Sequence, residues 1–133
     1  MKILKTITFM AVLTFTSLAG AGELVRVPVE IDYENTGATG SMTSARFSAN
    51  EHERIGCGVR SFKRGPVEFD WGFCFAQISE EESVICETFD EKFLKTIRAL
   101  DDYSFIIFRW TEEGECYFVG NSTQSIYIPG KLK

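Results

Sequence analysis

The sequence predicts an α+β domain, a mostly antiparallel sheet of five to six strands with one packed helix, held by two disulfides. Three observations carry that expectation. Apolar residues alternate with period two in several short segments, one segment alone shows a helical stripe, and all four cysteines follow a leader-like N-terminus.

The leader comes first. Lys2 and Lys5 form a short basic region, and residues 7–18 form an apolar stretch broken only by threonines and a serine. At about 12 residues it falls short of the roughly 20 that a membrane-spanning helix requires. Ala19-Gly20-Ala21 supplies small residues at a peptidase-type boundary, so residues 1–21 are expected to be a removable signal peptide and 22–133 a single domain. With no cysteine at that boundary, a lipid anchor is not expected. The whole chain carries 14 basic and 19 acidic residues, a net charge of −5; losing Lys2 and Lys5 with the leader makes it −7. That balance disfavours nucleic acid and anionic membranes, both of which attract clustered Lys and Arg. The expected location is periplasmic or secreted, with no membrane insertion once the leader is gone.

Residues 24–34 alternate, with Val25, Val27, Val29, Ile31 and Tyr33 on one side and Arg26, Pro28, Glu30, Asp32 and Glu34 on the other. This is a half-buried strand, and Pro28 places it at a sheet edge because proline donates no backbone hydrogen bond. Residues 35–41, with two glycines among small polar residues, read as a flexible loop. Residues 43–53 are ambiguous, ending in the polar turn Asn50-Glu51-His52-Glu53. A meander follows: a strand over 54–62, a turn at Lys63-Arg64-Gly65-Pro66, a long strand over 67–78, an acidic turn, and a strand over 83–88.

Phe93, Leu94, Ile97 and Leu100 then form one helical stripe, with Leu94 and Ile97 expected in the core. Its start has two readings. Either Thr88 caps with Glu91, or Asp90 caps with Phe89 stapled onto Leu94. Residues 103–111 contain Phe105-Ile106-Ile107-Phe108, apolar on both faces, as expected of a central strand covered on both sides. Residues 115–119 form another strand, and 125–128 a short final one.

An even cysteine count in an exported chain reads as disulfides. Successive cysteines are separated by 16, 11 and 29 residues, unlike the close ligand pairs of zinc sites, so no metal is expected. Cys74 and Cys86 flank a hairpin centred on the acidic turn and can face each other across adjacent strands, leaving Cys57 for Cys116. That pairing is preferred over Cys57–Cys74 with Cys86–Cys116.

Catalytic motifs are missing from the sequence. His52, the single histidine, sits between Glu51 and Glu53 with no neighbouring nucleophile, and no G-x-S-x-G elbow, phosphate loop or H-E-x-x-H occurs. Paired carboxylates at Glu80-Glu81-Glu82, Asp101-Asp102 and Glu112-Glu113 fall in expected turns, as solubilising residues do. Asn121-Ser122-Thr123 fits a glycosylation sequon, relevant only in a eukaryotic secretory pathway. No catalytic residue and no cofactor is assigned.

One feature stands out. On the strand over 67–78, Phe69, Trp71, Phe73 and Phe75 share a face, opposite Asp70, Gly72, Cys74, Ala76 and Ile78. The commoner arrangement would be a second buried layer, under the helix or the N-terminal strand. The functional alternative is an exposed strip for sugar rings, an apolar ligand or a partner protein.

Ala45-Arg46-Phe47-Ser48 with Ile55-Gly56-Cys57, the hairpin between Cys74 and Cys86, and Phe108-Arg109-Trp110 with Gly114-Glu115-Cys116 resemble a group of small exported four-cysteine bacterial proteins with no assigned function. The resemblance spans roughly residues 40 to 120 and implies the four-cysteine framework. The resulting expectation is a small acidic binding protein, non-enzymatic, whose partner is an unknown extracytoplasmic protein or small ligand. The alternatives are a small extracytoplasmic carboxylate hydrolase, or an inhibitor of a basic enzyme, where negative charge would speed association.

Overall fold

The computed structural model describes residues 22–130; the expected leader lies outside the described residues. Seven strands form two sheets rather than one. Strands β1 (Glu30–Asp32), β2 (Gly37–Ser41), β6 (Phe105–Trp110) and β7 (Cys116–Ser122) make an antiparallel sheet in the order β1-β2-β6-β7. Strands β3 (Arg54–Arg64), β4 (Val67–Gln77) and β5 (Ser83–Thr88) make an antiparallel meander in that order. Two helices, α1 (Met42–Arg46) and α2 (Glu91–Arg98), and one 3₁₀ turn (Ser125–Tyr127) complete the described residues.

The meander follows its sequence closely. Gly65 takes φ +59° in the two-residue connection between Arg64 and Val67, a conformation that favours glycine. Pairing between β3 and β4 runs unbroken from Arg54 opposite Gln77 to Arg64 opposite Val67, with no bulge at Gly72. Alternation therefore holds along β4, and Gly72, Cys74 and Ala76 form its buried face.

Helix α2 packs on that face. Asp90 caps it, its carboxylate accepting from the Lys92 N–H, while the Thr88 hydroxyl accepts from the Asp90 N–H. Leu94 and Ile97 are buried as their spacing demands. A Cβ at residue 72 would lie 2.8 Å from Leu94 Cδ2 and 3.0 Å from Ile97 Cδ1, so glycine is what allows the helix to approach the sheet. Phe89 does not staple onto Leu94. It points outward and meets the Phe69 ring edge-on at 6.0 Å between centroids.

The first sheet departs more from expectation. Only Glu30–Asp32 of the N-terminal segment forms a ladder, although Val25, Val27, Val29 and Ile31 do turn away from solvent. The rest of its backbone bonds elsewhere: Val25 N–H donates to the Ile126 carbonyl, Val27 N–H to Ser44 Oγ, and Val29 N–H to Glu53 Oε1. Glu53 is thus a half-buried structural acceptor, not a freely solvated turn residue. The segment expected to be a flexible loop holds β2, an inner strand between β1 and β6. Its small residues serve close packing: Ala38 and Ser41 are buried, and a Cβ at Gly40 would stand 3.0 Å from Val29 Cγ2. Strand β6 is internal, as its apolar run requires, but only Ile106 and Phe108 are fully buried. On the other side Phe105 is stacked by Tyr127 and Ile107 stays half-exposed, so the strand is covered fully on one face alone. The final expected strand is instead the 3₁₀ turn that places Tyr127 there.

Both disulfides differ from the preferred pairing. Cys57 bonds Cys74, with Cα atoms 4.0 Å apart, and Cys86 bonds Cys116, with Cα atoms 5.0 Å apart. Cys74 does lie opposite Cys86, as the hairpin register implied, but it lies equally opposite Cys57. Topology decides between them. Glu87 bridges Glu115 in parallel, bringing the start of β7 beside β5. Cys57, on β3, would have to span about 14 Å of adjacent strands to reach Cys116, whereas a disulfide tolerates about 7 Å between Cα atoms. The Cys86–Cys116 bond joins the two sheets, and the Cys57–Cys74 bond locks the base of the long hairpin.

Candidate functional site

Phe69, Trp71, Phe73 and Phe75 share the outer face of the meander, and no helix or strand among the described residues covers them. Helix α2 takes the opposite face, and the N-terminal strand belongs to the other sheet, so the expected second buried layer does not form. Phe69 is 44% exposed, and Trp71, Phe73 and Phe75 are half-buried, against complete burial of Phe108. Register extends the row sideways. Phe62 faces Phe69 from β3 and stacks on it at 5.1 Å, and Ile85 faces Phe75 from β5, itself 50% exposed. With Phe89, the result is a contiguous apolar surface of seven large side chains. Scattered apolar residues are ordinary on a surface; a continuous row across three strands is not.

Two arginines frame this surface. Arg60, paired with Trp71, places its guanidinium 5.1 Å from the Phe73 ring centroid, and Arg54 places its own 5.9 Å from Phe75. The Arg54 guanidinium also donates to Gln77 Oε1. Across the sheet from Phe73 stands Gly58, where a Cβ would fall 2.9 Å from Phe73 Cζ; the ring leans into the space that glycine leaves. Trp71 and Phe73 lie 5.6 Å apart and support each other.

Charge on the other face of the hairpin is already paired. Lys63 bonds Glu68 at 3.0 Å, and the Arg98 guanidinium donates to the Asp70 carboxylate from the end of α2. The Ser61 hydroxyl and then the Arg98 charge hold the Asp70 carboxyl below the usual carboxylate range. Beyond Arg60 the hairpin carries both faces into solvent, with Phe62 44% and Val67 52% exposed. The long meander therefore ends in an arm that projects past the core.

His52 occupies the turn before β3, its N–H donating to Asn50 Oδ1. Glu80, Glu81 and Glu82 lie in an exposed turn in which Ser79 Oγ accepts from the N–H groups of Glu81 and Glu82. Glu113 lines an open cleft of about 600 Å³ with Glu87, Asp90 and Glu115 beside the Cys86–Cys116 bond, and Asp90 there is committed to capping α2. The Asn121 side chain donates to the Thr96 carbonyl and is half-buried. No helix among the described residues is long and apolar enough to cross a membrane, and no group of metal-ligating side chains is found among them.

Sequence reasoning placed the aromatic row on one face but missed its companions Phe62, Ile85 and Arg60. The signal was present: with a two-residue connection at Gly65-Pro66, register alone sets Phe62 opposite Phe69 and Arg60 opposite Trp71.

Comparison with known proteins finds no matching family model, no matching curated protein and no matching solved structure. The geometry of this face is therefore the basis for assigning a role.

Proposed function

We propose that this chain is an exported, non-enzymatic binding protein whose working surface is the outer face of the β3-β4-β5 meander. The observation that carries the reading is the uncovered row Phe69, Trp71, Phe73 and Phe75, bordered by Phe62, Ile85 and Arg60. Water excluded from such a surface on contact contributes roughly 25 cal/mol per Å² of apolar area removed, and flat aromatic rings lose little side-chain entropy when they bind. Two disulfides hold the sheet that presents the row, which suits a location outside the reducing cytoplasm, periplasmic or secreted. A rigid platform of this kind binds by contact, with no chemistry asked of it.

Trp71 provides the test. Trp71→Ala should melt within a few degrees of the parent protein, because the side chain leaves a solvent-facing surface rather than a core. The same variant should lose at least about tenfold in affinity for whichever member of a panel of envelope proteins and glycans the parent retains, the scale of an aromatic anchor. Melting curves and binding isotherms of the two proteins check both halves. A collapse of the fold in Trp71→Ala would return the row to the core and end this reading.

A further inference from the structure

We propose that this surface takes an extended, carboxylate-bearing peptide, added as a fourth strand on the free edge of β3 with its acidic side chains over Arg60 and Arg64. The proposal rests on the outer face being the working surface, and it names the occupant.

Backbone supplies the first argument. Strand β3 is 11 residues long and lies at the edge of its sheet, hydrogen-bonded to β4 alone among the strands of the described residues. Helix α1 packs at the start of β3, where Met42, Ala45 and Arg46 line one hollow with Arg54 and Ile55, so the open length is taken from about Cys57 to the hairpin tip. An open edge presents unpaired N–H and C=O groups, and an extended peptide satisfies both partners by adding to it.

Charge supplies the second. Arg54, Arg60 and Arg64 all fall on the aromatic side of β3, facing Gln77, Trp71 and Val67. The hairpin's two ion pairs, Lys63–Glu68 and Arg98–Asp70, use the opposite side. On the three strands of this sheet the outer face thus carries three arginines against one carboxylate, Glu87 opposite Phe73, in a chain of net charge −5. Carboxylates on the incoming strand would meet two exposed guanidinium groups, that of Arg60 held over the Phe73 ring, as charge-assisted hydrogen bonds.

The same features disfavour other occupants. Sugar rings stack on free aromatic faces, but Arg60 and Arg54 lie over Phe73 and Phe75, and Phe62 and Phe69 lie over each other. A second copy pairing edge to edge, antiparallel about Arg60 near the middle of the open length, would set the two Arg60 side chains opposite each other, and like charges directly opposite are destabilising. Neither Gly56 nor Gly58 puts a side chain on this face; the Phe73 ring and Arg60 lean over Gly58, while a Cβ at Gly56 would meet nothing within 4 Å and leaves a gap. Apolar side chains of an added strand can reach the rings across that gap.

The test uses the disulfide-bonded protein, labelled with ¹⁵N, and a capped ten-residue peptide whose odd positions alternate glutamate and valine and whose even positions are threonine, so that both side-chain types share the face above Arg60, Phe62 and Arg64. Addition should shift the amide signals of residues 57–64 and slow their hydrogen exchange. Lysine in place of glutamate, or Arg60→Glu in the protein, should weaken binding by at least roughly tenfold. Lys63→Glu, on the other face, should not. Methylating the peptide nitrogen at every second residue should abolish binding in one of the two possible phases, because one set of N–H groups faces β3. Equal binding of the glutamate and lysine peptides, or no binding of either, overturns the proposal. Binding that survives methylation in both phases and is lost in Trp71→Ala overturns strand addition while leaving the outer face as the binding surface. Concentration-dependent shifts of residues 57–64 without peptide would replace the peptide with a second copy.

Discussion

Replacing Phe108 by alanine should cost about 3–5 kcal/mol of folding stability, the range for a fully buried aromatic side chain. Phe108 is completely buried on β6, between β2 and β7, with the Trp110 ring 5.9 Å away. Its removal leaves a void where Ala38, Val119 and Cys116 belong to the same packed cluster and cannot close over it without moving the strands. Phe118, on β7 and 45% exposed, is the control: Phe118→Ala should change stability by about half a kcal/mol or less. Urea unfolding of both variants checks the pair. Similar losses at the two positions would mean that the first sheet has been assigned the wrong inner face.

The second large effect belongs to the bond between the sheets. Replacing both Cys86 and Cys116 by alanine should destabilise by roughly 4 kcal/mol on the chain-entropy account, against roughly 3 for the shorter loop closed by Cys57 and Cys74. Sequence separations of 30 and 17 set that order. The difference should grow in practice, because Cys86–Cys116 ties one sheet to the other while Cys57–Cys74 joins strands that already pair along their length. Peptide mapping without reduction gives the same answer chemically. Linked peptides containing Cys57 with Cys74 and Cys86 with Cys116 are expected, and a Cys74–Cys86 link would contradict the arrangement.

The meander and α2 were legible because their signals are local. Alternation along β4, the Gly65-Pro66 connection and the spacing of Leu94 and Ile97 all act within one or two elements, and the structure follows them. Strand β2 was hidden because Gly37-Ala38-Thr39-Gly40-Ser41 has the composition of a loop. Only the close approach of Val29 explains why those residues must be small. The cysteine pairing failed for a related reason. The register across the acidic turn was right, yet Cys74 had two neighbours, and the choice depended on where β7 docks, a long-range fact that spacing does not contain. The division of the strands into two sheets escaped for the same cause.

The aromatic row was legible as a row and undecided as a surface. A strand with bulky residues on both sides, such as β6, and one with bulky residues on one side and Gly72, Cys74 and Ala76 on the other look equally able to sit at the centre of a sandwich. What differs is that α2 needs the small side. Once Leu94 occupies the space over Gly72, the aromatic side is left outward.

Paramagnetic relaxation by a soluble nitroxide tests that outward placement most directly, since it broadens the proton signals of rings that solvent can reach. The expected result is strong broadening for Phe62, Phe69 and Trp71, with the Phe108 ring untouched. Signals of Phe69 and Trp71 as sharp as those of Phe108 would show the row buried, and would contradict the binding surface on which this account rests.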